Sequence, residues 1–182
     1  DLHVISDLRK KNWEVRTIAT PSALKFIGEA TLEGLSGHPV LTSDFTPGHM
    51  MSHIELARWA DVFLIAPATA KTLCGLATGT GDGILFSTYL AYEPHKPLLI
   101  APAMNTQMLA HPATQTALNT LSQRGSVLLK PNEGLLACGE IGSGRMQEPD
   151  EVVSAIEQSV ISTRLEDRVL ITLDRKSTRL NS

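Results

Sequence analysis

The chain has 182 residues, 42% of them hydrophobic, a formal net charge of −3 and few aromatics. That length accommodates one domain with a full core and is short for two, and the absence of a basic excess or polybasic patch argues against nucleic acid as a partner. The longest apolar runs, such as Val62–Ala68, fall well short of a bilayer span, and the N-terminus lacks the order of a signal peptide, so a cytoplasmic location with no membrane partner is expected.

The opening "DLHVISDLRKKN" puts Leu2, Ile5 and Leu8 on one face and ends in basic residues, the pattern of the back half of a helix. "WEVRTIAT" (13–20) alternates and is β-branched, which predicts a strand; Pro21 then opens a short helix through Phe26. "MSHIELARWAD" predicts a helix with His53 in its first turn. Strand-then-helix units follow: "DVFLIAPA" into "TAKTLCGLA", then "KPLLIAPA" into "MNTQMLA". Pro112 starts a helix that stops at Gly125 before the strand "SVLLK". A last amphipathic helix begins near Pro149, and "DRVLITL" (167–173) begins a further strand. The final "RKSTRLNS" has no periodicity and reads as a non-native tail over 175–182. Short, continuously apolar strands alternating with helices predict an α/β, doubly wound (Rossmann-like or flavodoxin-like) parallel sheet with helices on both faces.

In such a sheet, ligands bind beyond the carboxyl ends of the strands, where loops converge and helix N-termini point. The segments there are Thr20-Pro21-Ser22, Pro67-Ala68-Thr69-Ala70, Pro102-Ala103-Met104-Asn105 and the stretch around Cys138; His53 joins them because its helix runs antiparallel to the strand it enters. Ser22 and Thr69 are equally suited to capping helices, and Asn105 to a turn. The glycines 139, 142 and 144 lack the strand-and-helix context of a dinucleotide fingerprint and predict a mobile loop. Cys74, beside Leu73 and Leu76, reads as a small core hydrophobe, whereas Cys138 sits near Glu140 and Arg145, where exposure and charge can tune a thiol. The two cysteines and six scattered histidines show no metal-ligand spacing, so no metal is expected.

"SHIELARWAD", "IAPATAKT", "APAMNTQM" and "ACGEIGSGRMQEP", in that order, resemble the flavin-containing cysteine decarboxylases. Within them the likeness is to the phosphopantothenoylcysteine decarboxylase part of bifunctional coenzyme A biosynthesis flavoproteins. It implies FMN-dependent conversion of 4′-phosphopantothenoylcysteine to 4′-phosphopantetheine by oxidation to a thioaldehyde, loss of CO2 to an enethiolate, and re-reduction. It further implies Ser22, Phe26, Ala68, Thr69, Ala70, Ala103 and Met104 as FMN contacts, Asn105 and Arg145 as substrate-binding residues, His53 as base and Cys138 as proton donor. Asp82 aligns with a family aspartate. Departures from the family pattern are Lys71, Leu109 and the glycines of "GTGDG". The resemblance assigns residues 1–165 to the decarboxylase domain, with the family's first strand and Gly-Gly phosphate loop expected before Asp1, and 166–174 to the start of a ligase domain. It implies a homotrimer or dodecamer of trimers. The alternative is a flavin-fold regulatory or binding module, like phosphatase-inhibitory subunits, without decarboxylase activity.

Overall fold

A computed structural model of the chain describes residues 2–43, 52–135, 141–161 and 167–174. Helix α1 (Leu2–Lys10) buries Val4, Ile5 and Leu8 and carries Arg9 and Lys10 in its last turn, where cations suit the helix dipole. Strand β1 (Glu14–Ala19) leads into a single 3-10 turn at Ala23–Lys25 rather than the short helix expected from Pro21, and then into α2 (Glu29–Ser36). Helix α3 (Ser52–Trp59) precedes β2 (Val62–Ala68), in which every residue is buried. Thr69 caps α4 (Ala70–Thr78), which stops at Gly79 in the left-handed region (φ 73°). Next come α5 (Ile84–Ala91), the fully buried β3 (Leu98–Pro102) and the short α6 (Thr106–Ala110). Pro112 starts a separate helix, α7 (Pro112–Gln123), because it has no N–H with which to continue the preceding one. Strand β4 (Val127–Leu128) is only two residues long at an exposed sheet edge. Then follow β5 (Asn132–Leu135), β6 (Ile141–Arg145), α8 (Pro149–Ile161) and β7 (Arg168–Leu173).

The five-stranded sheet has the order β1-β7-β2-β3-β4 with every pairing parallel. One face packs on α1, α2 and α8 through Val4, Ile5, Leu8, Leu32, Val152 and Ile156. The other packs on α3, α4, α5 and α7 through Leu56, Leu73, Leu76, Leu85 and Leu121. This is the doubly wound arrangement expected from the sequence. None of the described helices is long and apolar enough to cross a membrane.

Two placements were not read from the sequence. The segment expected to open a following domain is β7, seated in the middle of this sheet between β1 and β2. Val169 to Leu173 are all buried, which is what a strand covered on both faces requires. The glycine-rich stretch expected to be a loop supplies one strand of an antiparallel hairpin, β5–β6.

Polar contacts at the amino ends of the strands lock this sheet. The Arg168 guanidinium grips the buried Asp61 carboxylate in bidentate fashion, at 2.7 and 3.1 Å. The buried Tyr92 ring packs edge-on against Phe63, and its hydroxyl donates toward the carbonyls of Asp61 (3.1 Å) and Pro97 (3.0 Å). Burial, then the Asp61 charge, holds this phenol protonated far above its ordinary range. Tyr92→Phe removes this hydroxyl from both carbonyls and leaves Pro97 with the Phe63 N–H at 3.0 Å, which should cost about 1–2 kcal/mol and lower the melting temperature by roughly 2–8 °C in thermal unfolding; an unchanged melting temperature would show that the hydroxyl does not lock the sheet.

Candidate active site

At the carboxyl ends of β1, β7 and β2, three threonine hydroxyls converge on one carboxylate. Thr20 donates to Asp174 Oδ1 at 3.1 Å, Thr69 donates to Oδ2 at 2.7 Å, and Thr72 donates to the same Oδ2. The topology explains the convergence, since β7 ends at Leu173 between the ends of its two neighbours. Two of the three hydroxyls are oriented by local backbone. Thr69 caps α4 by accepting from the Thr72 N–H at 3.3 Å, and Thr20 accepts from the Ala23 N–H at 3.2 Å. The positive end of the α4 dipole adds to the attraction. This pocket of donors is an anion cradle, and among the described residues no lysine or arginine pairs with Asp174.

One strand further along, the Ala103 N–H donates to the Ala68 carbonyl at 3.0 Å, so the two "APA" stretches lie side by side. Ala68, Ala103 and Met104 are buried, while Ala70 is half-buried beside the Thr69 cap. Asn105 Oδ1 accepts from the Gln107 N–H at 2.8 Å and caps α6. The hairpin docks on this loop. The Met104 N–H donates to the Gly144 carbonyl at 3.0 Å, and the Thr106 hydroxyl donates to the Ser143 carbonyl at 2.9 Å. Arg145 lies at the base of the hairpin, paired with Glu148. The same base is tied to α8 through Glu151, which accepts from the Asn132 side chain at 2.8 Å and the Glu148 N–H at 2.9 Å. The Asn132 bond and then the Glu148 N–H hold the Glu151 carboxyl below its ordinary range.

The structure therefore brings Thr69, Ala68, Ala70, Ala103, Met104, Asn105 and the Arg145 hairpin to one edge. Ser22, expected to cap or to hold the cofactor, makes no side-chain cap; Thr20 does that work. Phe26 is 44% exposed next to the 3-10 turn. His53 is half-buried in the first turn of α3, whose N-terminus the antiparallel crossover places at the same edge. Cys138 lies outside the described residues. Cys74 is half-buried against the core as expected, and with Lys71, Asp82 and Phe86 it lines a separate open cavity of about 270 Å³ between α4 and α5. No group of three or more potential metal ligands occurs among the described residues. Sequence reasoning missed Thr20 and Thr72 as anion donors. The only local signal was a threonine at a strand end and another three positions after a capping threonine.

The model of the flavoprotein family matches residues 2–161. This chain belongs to the flavoprotein family. Among flavoproteins, it is 43% identical over 157 residues to the coenzyme A biosynthesis bifunctional protein CoaBC of Haemophilus influenzae, covering 85% of this chain and 39% of that protein. The chain thus spans about two fifths of the length of the curated relatives it matches. A cysteine-to-serine mutant of PPC decarboxylase, complexed with pantothenoylaminoethenethiol, superposes with a TM-score of 0.74 at 34% identity over 86% of this chain and 91% of that one. The FMN-dependent cysteine decarboxylase SpaF does so with a TM-score of 0.75 at 32% identity over 90% and 89%. Both confirm the flavoprotein fold.

The cradle makes a chemical demand that can be tested without a cofactor. Asp174→Ala vacates it. Inorganic phosphate should then raise the melting temperature of the variant by mass action, with little effect on the parent chain, and adding Thr72→Val should abolish the rise. A variant indifferent to phosphate would show that the hydroxyls serve Asp174 alone.

Proposed function

We propose that this chain is the decarboxylase part of a coenzyme A biosynthesis flavoprotein and converts 4′-phosphopantothenoylcysteine to 4′-phosphopantetheine with FMN. The observation that carries the reading is the cradle, in which neutral hydroxyls at a helix N-terminus already hold an anionic group. A cofactor phosphate has the charge and acceptor count to replace that carboxylate. Thr20, Thr69 and Thr72 would hold it, Ser22 and Phe26 would flank it, and the small Ala68, Ala70 and Ala103 with Met104 would admit a flat ring. Bound FMN supplies a two-electron acceptor that takes a hydride from the thiol-bearing carbon and later returns it.

The remaining work falls to the protein. His53 acts as base for the oxidation half. Asn105 and Arg145 hold the substrate carboxylate and phosphate-bearing portion. Cys138 delivers the last proton. The complex of a cysteine-to-serine PPC decarboxylase with pantothenoylaminoethenethiol supports this role for a cysteine. The assembly we propose is a homotrimer or a dodecamer of trimers, joined in the full-length protein to a ligase domain, as in bifunctional relatives, and located in the cytoplasm.

The chain loaded with FMN should release CO2 from 4′-phosphopantothenoylcysteine. His53→Asn should retain flavin absorbance while turnover falls by roughly 10²–10⁴-fold, the usual worth of a general base. Flavin retained by the parent chain with no CO2 release would return it to the binding-module alternative.

A further inference from the structure

The cradle's three hydroxyl protons are all engaged by one side chain. Asp174 Oδ1 accepts from Thr20, and Oδ2 accepts from both Thr69 and Thr72, whose own oxygens stand 3.2 Å apart. A phosphate directed to those hydroxyls therefore meets a seat already taken by a group of its own sign, and two anions at hydrogen-bond distance from the same donors repel too strongly to share it. The occupant and its donors come from different parts of the chain. Thr20, Thr69 and Thr72 fall inside residues 2–161, which match the family, whereas Asp174, the first residue past β7, falls outside them. It is 9% exposed, and the sheet holds it there: Leu173 pairs with Ala19, and the Leu173 carbonyl accepts from the Thr20 N–H at 3.1 Å. Being tethered beside the cradle, the carboxylate acts at a high effective concentration.

We infer that Asp174 is a built-in competitor for the phosphate subsite, a specificity-determining residue that excludes free phosphate from the cradle and yields only to a phosphate carried by a flavin ring. The inference rests on the function proposed above, which gives the cradle to the cofactor's phosphate. A free phosphate entering the cradle exchanges one set of charge-assisted bonds for another and gains little. A flavin phosphate brings in addition the contacts of its ring with the paired alanine stretches, and that surplus is what expels the carboxylate. Riboflavin has the ring without the phosphate and does not contest the seat. Asp174 thus lowers the apparent affinity for FMN by the fraction of time the cradle stands filled, and leaves riboflavin untouched.

The test titrates the full chain with FMN and with riboflavin, read by quenching of flavin fluorescence, and with inorganic phosphate alone, read by calorimetry. Asp174→Ala should tighten FMN about tenfold or more and leave riboflavin within about twofold of the parent value. Asp174→Asn keeps the shape of the side chain without its charge and should give a smaller gain of the same sign; it decides the question if the alanine variant does not fold. Thr72→Val separates competition from a general loosening of the site. It should weaken FMN about tenfold in the Asp174→Ala background but no more than about twofold in the parent, where the hydroxyl is lost to carboxylate and phosphate alike. Equal gains for FMN and riboflavin, or no gain for FMN in either Asp174 variant of a chain that binds it, overturn the competition. Phosphate that binds Asp174→Ala and not the parent, while neither chain binds a flavin, overturns the flavin reading and leaves Asp174 a competitor for phosphate. Binding of none of the three ligands to any variant overturns both.

Discussion

Parallel pairing of a doubly buried strand between β1 and β2 is the constraint on which the rest depends. A parallel sheet buried on both faces has only its strand ends in contact with anything but core, so polar chemistry is forced to those ends. At the amino ends it takes the form of a lock, with Asp61 held by Arg168 and Tyr92 closing on two carbonyls. At the carboxyl ends it takes the form of the threonine cradle. Because β7 lies between β1 and β2, Asp174, the residue just past its end, is the one that both neighbours reach.

Two kinds of element build the candidate site, and they are positioned by different physics. The cradle and the paired alanine stretches sit on strand ends whose geometry follows from the sheet ladder and from cores such as Phe63, Leu64 and Ile65. Each of these side chains contributes about 1.5–3 kcal/mol of burial, so the positions are fixed by the whole domain. The hairpin is placed differently. It is held by a handful of directed bonds, to Met104, Thr106 and Glu151. Small sequence changes there alter placement without threatening the fold.

Periodicity made most of the fold legible. The apolar runs at 62–68 and 98–102 became the buried strands β2 and β3, and Thr69, Pro112 and Gly125 marked helix ends where the structure has them. The seat of β7 was not legible, because a continuous apolar run says that a strand is buried but not which neighbours bury it. The hairpin escaped for another reason. Glycines remove the alternation by which a strand is recognised, and the side chain that explains Gly142 lies 36 positions away, on Thr106. The cradle was half legible, since Thr69 reads as a cap from sequence alone, whereas Thr20 and Thr72 become donors only when β7 brings an anion between them.

The cradle's hydroxyls decide what it can hold. Burying a carboxylate without a cationic partner is unfavourable unless donors are already in place. Here the hydroxyls of Thr20, Thr69 and Thr72 provide them, and charge assistance roughly doubles the strength of such bonds. Such a site selects for the number and direction of acceptor atoms more than for charge.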